Sequence, residues 1–295
     1  MKLAIVPLLL LTAACSTPPA GRSAKRLIAQ TYNSGFAEAH DSYNAMGAAS
    51  DGRIYYVLSA EKPRVGGRMY SFNPVNQKIE FLGDLTEVAG EKGRNAIVQG
   101  KSHVNFVEAD GALYFATHIG YYSIIDGMEK MGVPPEGMQP YPGGHLLAFD
   151  MKTRKFTDFG VAPEKEGILT MNMDARRRRI YGLTWPTGYF FRYDIPRREW
   201  KNLGRVAGGG ENGKGTDYQT ICRSIAIDPR DGAAYFSDST GNIRRYRYND
   251  DSLSLVPGDN LRKDYFGQYD PHSAGHMGYN WRQTFWHAPS NAIYG

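Results

Sequence analysis

The sequence predicts an all-β protein, a β-propeller of four-stranded antiparallel blades, with about four and a half blades present of about seven. Three observations predict it. An apolar–Tyr step recurs at Ile54-Tyr55, Leu113-Tyr114, Ile180-Tyr181, Ala234-Tyr235 and Ile293-Tyr294, so its tyrosines are 59, 67, 54 and 59 residues apart, a period no coiled coil or helical solenoid has. Each of the first four steps follows a turn, and three of those four turns carry Asp-Gly, the chemistry of a tight hairpin. A composition with 13% aromatic residues and 34 glycines suits many short strands joined by tight turns rather than long helices.

In chain order, Met1-Lys2, the apolar run Leu3 to Leu11 and the small residues Thr12-Ala13-Ala14 read as an export signal over 1–14, too short for a membrane span. Leu11-Thr12-Ala13-Ala14-Cys15 follows the pattern of a bacterial lipoprotein box, with Thr12 where Leu is usual, so Cys15 is the expected lipidation site and 15–44 a lipidated or free linker. Within it, Arg26 to Tyr32 is the one strand-like stretch. The propeller is expected over 45–295.

Each repeat gives an apolar strand, a turn, the Tyr strand, an aromatic third strand and a fourth strand ending near Gly. The turns are Ser50-Asp51-Gly52, Ala109-Asp110-Gly111, Asp174-Ala175-Arg176 and Asp228-Pro229-Arg230-Asp231-Gly232. The third strands are Met69 to Asn73, Leu146 to Asp150, Phe190 to Asp194 and Ile243 to Arg247, and the fourth are Ile79 to Gly83, Phe156 to Gly160, Trp200 to Gly204 and Leu253 to Gly258. In the third repeat Arg176 to Arg179 replaces Asp-Gly, and a bend is where a solvated charge run costs least. The second repeat carries an insertion, Ser123 to Pro142, either a lid or a surface loop. Gly208-Gly209-Gly210, with Gly213 and Gly215, lacks the strand–helix context of a phosphate loop and reads as a flexible connection. The fifth repeat starts near Met277 and stops inside its second strand, which points to a truncated chain or, alternatively, to a five-bladed ring closed by the N-terminal segment.

Gly100-Lys101-Ser102-His103, Ala116 to Tyr122, Tyr141-Pro142-Gly143-Gly144-His145 and Gly182 to Tyr189 resemble stretches of a family of uncharacterised exported bacterial propellers, over roughly residues 45 to 295. In build, though not by motif, the chain is also similar to the seven-bladed group that holds lactonases, virginiamycin-type lyases and oligogalacturonate or ulvan lyases.

On a propeller, the starts of first strands, the connections from second to third strands and the links between blades open on one face. That map gathers His40, His103, His118, His145, His272 and His276 there and leaves His287 elsewhere. Imidazole exchanges a proton near neutral pH and, when neutral, binds metal. His103, His118 and Tyr189 are therefore the candidate catalytic groups; Lys101, Tyr121, His145, Trp185 and Arg223 the candidate substrate-binding groups; and His103, His118, His145 and Gln219 the candidate ligands of a possible divalent metal. Aromatic planes beside Arg and Lys suit a sugar acid, with Arg223 as carboxylate clamp and a histidine as base for elimination.

The net charge of +5 comes with no zinc-finger spacing or basic helix, so nucleic acid is not an expected partner. With two cysteines, of which Cys15 would be acylated, no disulfide is expected and Cys222 reads as a small buried thiol. The expected function is a cell-envelope lyase for anionic oligosaccharides, touching the membrane only through its lipid; the alternative is a non-catalytic propeller binding glycan or protein, and the chain is expected to be monomeric.

Overall fold

A computed structural model of the chain describes residues 28–262, 270, 272 and 278–295. The export signal, Cys15, His276 and Met277 lie outside the described residues. Ser34–Gly295 form one compact unit. Residues 28–33 carry no helix or strand, so the strand expected over Arg26 to Tyr32 is not formed by its described part. No helix among the described residues is long and apolar enough to cross a membrane.

The fold is all-β. Four antiparallel sheets follow one another, each a meander of consecutive hairpins apart from one insertion. Sheet I holds β1 (Met46–Ala48), β2 (Ile54–Leu58), β3 (Arg68–Asn73) and β4 (Lys78–Asp84), and the helix α1 (Leu85–Val88) follows it. Sheet II holds β5 (Val107–Ala109), β6 (Ala112–Ala116), β9 (His145–Asp150) and β10 (Phe156–Val161). Between β6 and β9 the insertion forms its own hairpin, β7 (Tyr122–Ile125) and β8 (Met128–Met131). Sheet III holds β11 (Gly167–Asp174), β12 (Arg179–Trp185), β13 (Tyr189–Asp194) and β14 (Glu199–Arg205), and sheet IV β15 (Ala226–Ile227), β16 (Ala234–Ser237), β17 (Asn242–Arg247) and β18 (Ser252–Asn260). A last pair, β19 (Phe285–His287) and β20 (Ala292–Tyr294), follows.

Local chemistry explains the turns. Asp110 and Gly111 both take positive φ, at 52° and 76°, which matches the twist of the flanking strands, and Asp126-Gly127 repeats this in the inserted hairpin at 54° and 74°. In the third repeat Arg178 occupies that left-handed position at φ 55°. Its neighbours support the turn: the Asp174 carboxylate accepts from the Arg177 backbone N–H at 3.2 Å and from its guanidinium at 3.0 Å. Arg178 faces Asp110 of sheet II at 3.4 Å and Arg179 faces its cross-strand neighbour Asp194 at 3.6 Å, so this charge run pairs with carboxylates rather than only meeting water.

Burial follows strand order. Central strands β6, β9, β12 and β13 are buried along nearly their whole length, whereas β4, β14 and β18 have no buried residue. Successive sheets meet through aromatic contacts: Tyr55 on Phe149 with ring centres 5.9 Å apart, Phe159 on Tyr193 at 5.5 Å and Phe190 on Phe236 at 4.8 Å. Of the recurring tyrosines, Tyr55 makes such a contact and Tyr181 another, with Tyr246 of sheet IV at 5.5 Å.

Between sheets I and II the backbone itself makes the contact. A Cβ on Gly100 would lie 2.7 Å from the Gly120 Cα, so two glycines are needed where the segments cross. That crossing sets Lys101 opposite His118 in a short bridge, with backbone bonds of 3.1 and 2.8 Å.

Candidate functional site

The bridge starts the site. His118 leaves it fully buried, and its Nδ1 donates to the Ile119 carbonyl at 2.8 Å, which leaves Nε2 buried without a hydrogen-bond partner. His103 stands beside it, with ring centres 5.6 Å apart, and its Nδ1 donates to the Leu169 carbonyl at 2.9 Å. That carbonyl is available because β11 bulges there: Ile168 pairs with Thr184 and Thr170 with Leu183, leaving Leu169 as the extra residue. Both imidazoles are thus fixed in one tautomer, with Nε2 free to accept. Burial is the first cause that holds both below the usual histidine range, His103 at about 4 and His118 well below that range; Arg223 then weighs against charge on His103, and His103 itself against charge on His118.

Around the two rings lies a recess of about 190 Å³, lined by Tyr43, His103, His118, Tyr122, Glu129, Leu169, Trp185, Glu211, Arg223 and Arg282. Tyr43 covers His103 at 4.7 Å, and Trp185 lies 5.4 Å from His118 and edge-on to Tyr122 at 5.5 Å. Behind the tyrosines sits Lys101, fully buried, its ammonium 3.9 Å from the Tyr43 ring centre and 4.7 Å from that of Tyr122. Its nearest counter-charge is Glu61 at 3.7 Å, too long for a hydrogen bond, and burial lowers its affinity for the proton.

The same recess is lined by a part-buried ion pair. Arg223 donates to Glu211 at 2.6 Å, and the same carboxylate accepts from the Trp185 indole N–H at 2.9 Å and the Ile221 N–H at 3.1 Å. Burial alone would raise the Glu211 carboxyl; the Arg223 charge and these donors outweigh it and hold the group below the usual range. Glu211 comes from the glycine-rich connection, which is not free. Its tight turns are Gly210–Asn212 and Gly215–Asp217, and Lys130 of the inserted hairpin bonds the Glu211 carbonyl.

The structure brings together His103, His118, Trp185 and Arg223, with Lys101 behind the aromatic wall. Tyr189, Tyr121, His145 and Gln219 are not among the lining residues. The Tyr189 hydroxyl accepts from Arg205 at 3.1 Å, Tyr121 packs over Gly132, and the Gln219 amide lies beside Gly208. His145 is clamped, with Nδ1 2.9 Å from Asp158 and Nε2 3.1 Å from Glu91. Two of the four proposed metal ligands, His145 and Gln219, are held elsewhere, and two ligands do not complete a divalent-cation site, so this set of four does not fit one. Among the described residues, His40, Asp41 and Glu61 have ligating atoms within 4.8 Å of one another, but the Lys101 ammonium already faces Glu61. Cys222 is a buried thiol donating to the Ser224 carbonyl at 3.1 Å.

The His145 clamp has a measurable consequence. Burial lowers its affinity for the proton, but Asp158 and Glu91 together raise it to about 9. The stabilisation is therefore full below the unfolded value near 6.5 and is lost as pH rises through about 9. Urea unfolding of the parent is expected to weaken over that window, and His145→Gln to remove the slope; an unchanged slope in the variant would assign it to another group.

Glu211, Tyr43, Glu129 and Arg282 were missing from the sequence-based site. The available signal for Glu211 was a single acid inside a glycine run, on a chain that also offered Trp185 and Arg223 as partners.

No protein-family model and no curated protein matches the chain. Among solved structures, it is similar to an auxiliary nutrient binding protein from Bacteroides thetaiotaomicron, with 12% identity and a TM-score of 0.44, over 77% of this chain and 44% of that one. It is also similar to a protein of unknown function from the same organism, with 13% identity and a TM-score of 0.39, over 73% of this chain and 47% of that one. The chain thus spans under half the length of both.

Proposed function

We propose that the four-stranded sheets are blades of a β-propeller, exported and held at the cell envelope through Cys15, and that its recess binds an anionic glycan or related small acid without altering it. One observation carries the reading: Arg223 and Arg282 line a small recess, with Glu129 and Glu211 also at its wall, whose aromatic sides are the rings of Tyr43, Tyr122 and Trp185, and the Lys101 ammonium lies behind the two tyrosines. Aromatic planes suit the apolar face of a sugar, and a guanidinium suits its carboxylate. Titration calorimetry with oligogalacturonate is expected to give saturable binding that weakens by more than about tenfold when the carboxylates are methyl esters. Equal affinity for acid and ester would overturn the reading.

Elimination is a second reading, favoured by the two imidazoles whose Nε2 atoms stay unprotonated at neutral pH. One would take the carbon-bound proton beside the carboxylate while the glycosidic C–O bond breaks and the leaving oxygen takes up a proton from water. Polygalacturonate incubated with the protein would then gain the ultraviolet absorbance of the conjugated product; a flat trace leaves binding alone.

A further inference from the structure

Resting on the anionic-ligand reading, we infer that the recess holds one polyhydroxylated monocarboxylic acid the size of a single sugar ring, with Nε2 of His103 and His118 accepting hydrogen bonds from its hydroxyl groups.

Size is the first argument. Drug-sized ligands fill pockets of roughly 300–1,000 Å³, so a recess of about 190 Å³ suits something nearer one ring than two. The walls come from four separate parts of the chain: Tyr43 before β1, Glu129 on the inserted hairpin, Trp185 at the end of β12 and Glu211 in the glycine-rich connection. The bond from Lys130 to the Glu211 carbonyl ties the hairpin to that connection, so two of these four parts are held together.

Hydrogen-bond polarity is the second. A neutral imidazole whose Nδ1 donates to a carbonyl has only an acceptor left at Nε2. In His118 this acceptor is buried without a partner, a cost that a ligand hydroxyl would remove. The ligand must therefore bring donors, which a simple fatty or dicarboxylic acid lacks.

Charge is the third. Arg223 and Arg282 favour a carboxylate, while Glu129 and Glu211 in the same lining disfavour a second negative group. One acid with several hydroxyls satisfies all of these groups.

Calorimetry at neutral pH with galacturonate, trigalacturonate, galactose and hexanoate tests this directly. Galacturonate is expected to bind with one site per chain, galactose and hexanoate to be weaker by about tenfold or more, and trigalacturonate to be no tighter than the monomer. His118→Phe is expected to weaken galacturonate by about tenfold and leave hexanoate unchanged. Hexanoate binding as tightly as galacturonate would overturn the role of the histidines, and a trimer about tenfold tighter than the monomer would overturn the single-unit site. Failure of every carboxylate to bind would instead overturn the anionic-ligand reading. The wild-type ligand series decides each point even if the variant does not fold.

Discussion

Replacing Glu211 by alanine is expected to destabilise the protein by about 2–4 kcal/mol, because it leaves a part-buried guanidinium without its counter-charge. Three groups lose an acceptor at once: the Arg223 guanidinium, which keeps the Ile221 carbonyl, the Trp185 indole N–H and the Ile221 backbone N–H. Glu211→Gln separates charge from hydrogen bonding. It can still accept from Trp185 and Ile221, yet leaves Arg223 without a counter-charge, so it should recover only part of the loss. Urea unfolding followed by intrinsic tryptophan fluorescence reads both variants. A change within about 0.5 kcal/mol for Glu211→Ala would mean that the ion pair is solvated and does not brace the recess.

Acid should unfold the protein in two distinguishable stages. His103 and His118 are held neutral in the folded state, so each contributes stability that is full above the unfolded value near 6.5 and is lost as pH falls, for His103 down to about 4. A shift of that size corresponds to on the order of 3 kcal/mol for His103 alone. The carboxyls held below their usual range, including Glu211, Asp194 and Asp228, contribute in a lower window and are lost only as pH falls below about 4. Together with the His145 clamp, which weakens above 6.5, this places greatest stability near pH 6.5. Unfolding free energies measured from pH 7 to 4 should fall steeply for the parent and much less for His103→Asn with His118→Asn. An equal fall in both would move the effect away from the recess.

The periodic part of the fold was legible because each repeat buries the same kind of surface. The Asp-Gly turns and apolar–Tyr steps located the strands to within one or two residues: β9 begins at His145 where Leu146 was expected, and β14 runs Glu199–Arg205 where Trp200 to Gly204 was expected. What was not legible depends on contacts between distant segments. The β7–β8 hairpin is four residues a side and has no repeat to betray it. The glycine-rich connection reads as flexible in isolation, yet Glu211 anchors it through three partners that lie 10 to 26 residues away in sequence.

The site divides in the same way. His103, His118, Trp185 and Arg223 lie at or near strand ends that the repeat positions, so sequence could place them. The strand pleat then decides direction, and it gave Tyr189 to Arg205 and His145 to two carboxylates. Tyr43 and Arg282 enter from segments outside the four sheets, where periodicity offers no guide.

The central claim is that two neutral imidazoles, each with Nδ1 protonated, present Nε2 to an anionic ligand. Long-range proton–nitrogen correlation spectra of the imidazole rings, recorded across neutral pH with and without galacturonate, test it most directly. The expected result is that His103 and His118 keep the Nδ1–H tautomer throughout, and that their Nε2 resonances move saturably with galacturonate. Imidazoles that titrate near 6.5, or Nε2 signals indifferent to the ligand, would contradict it.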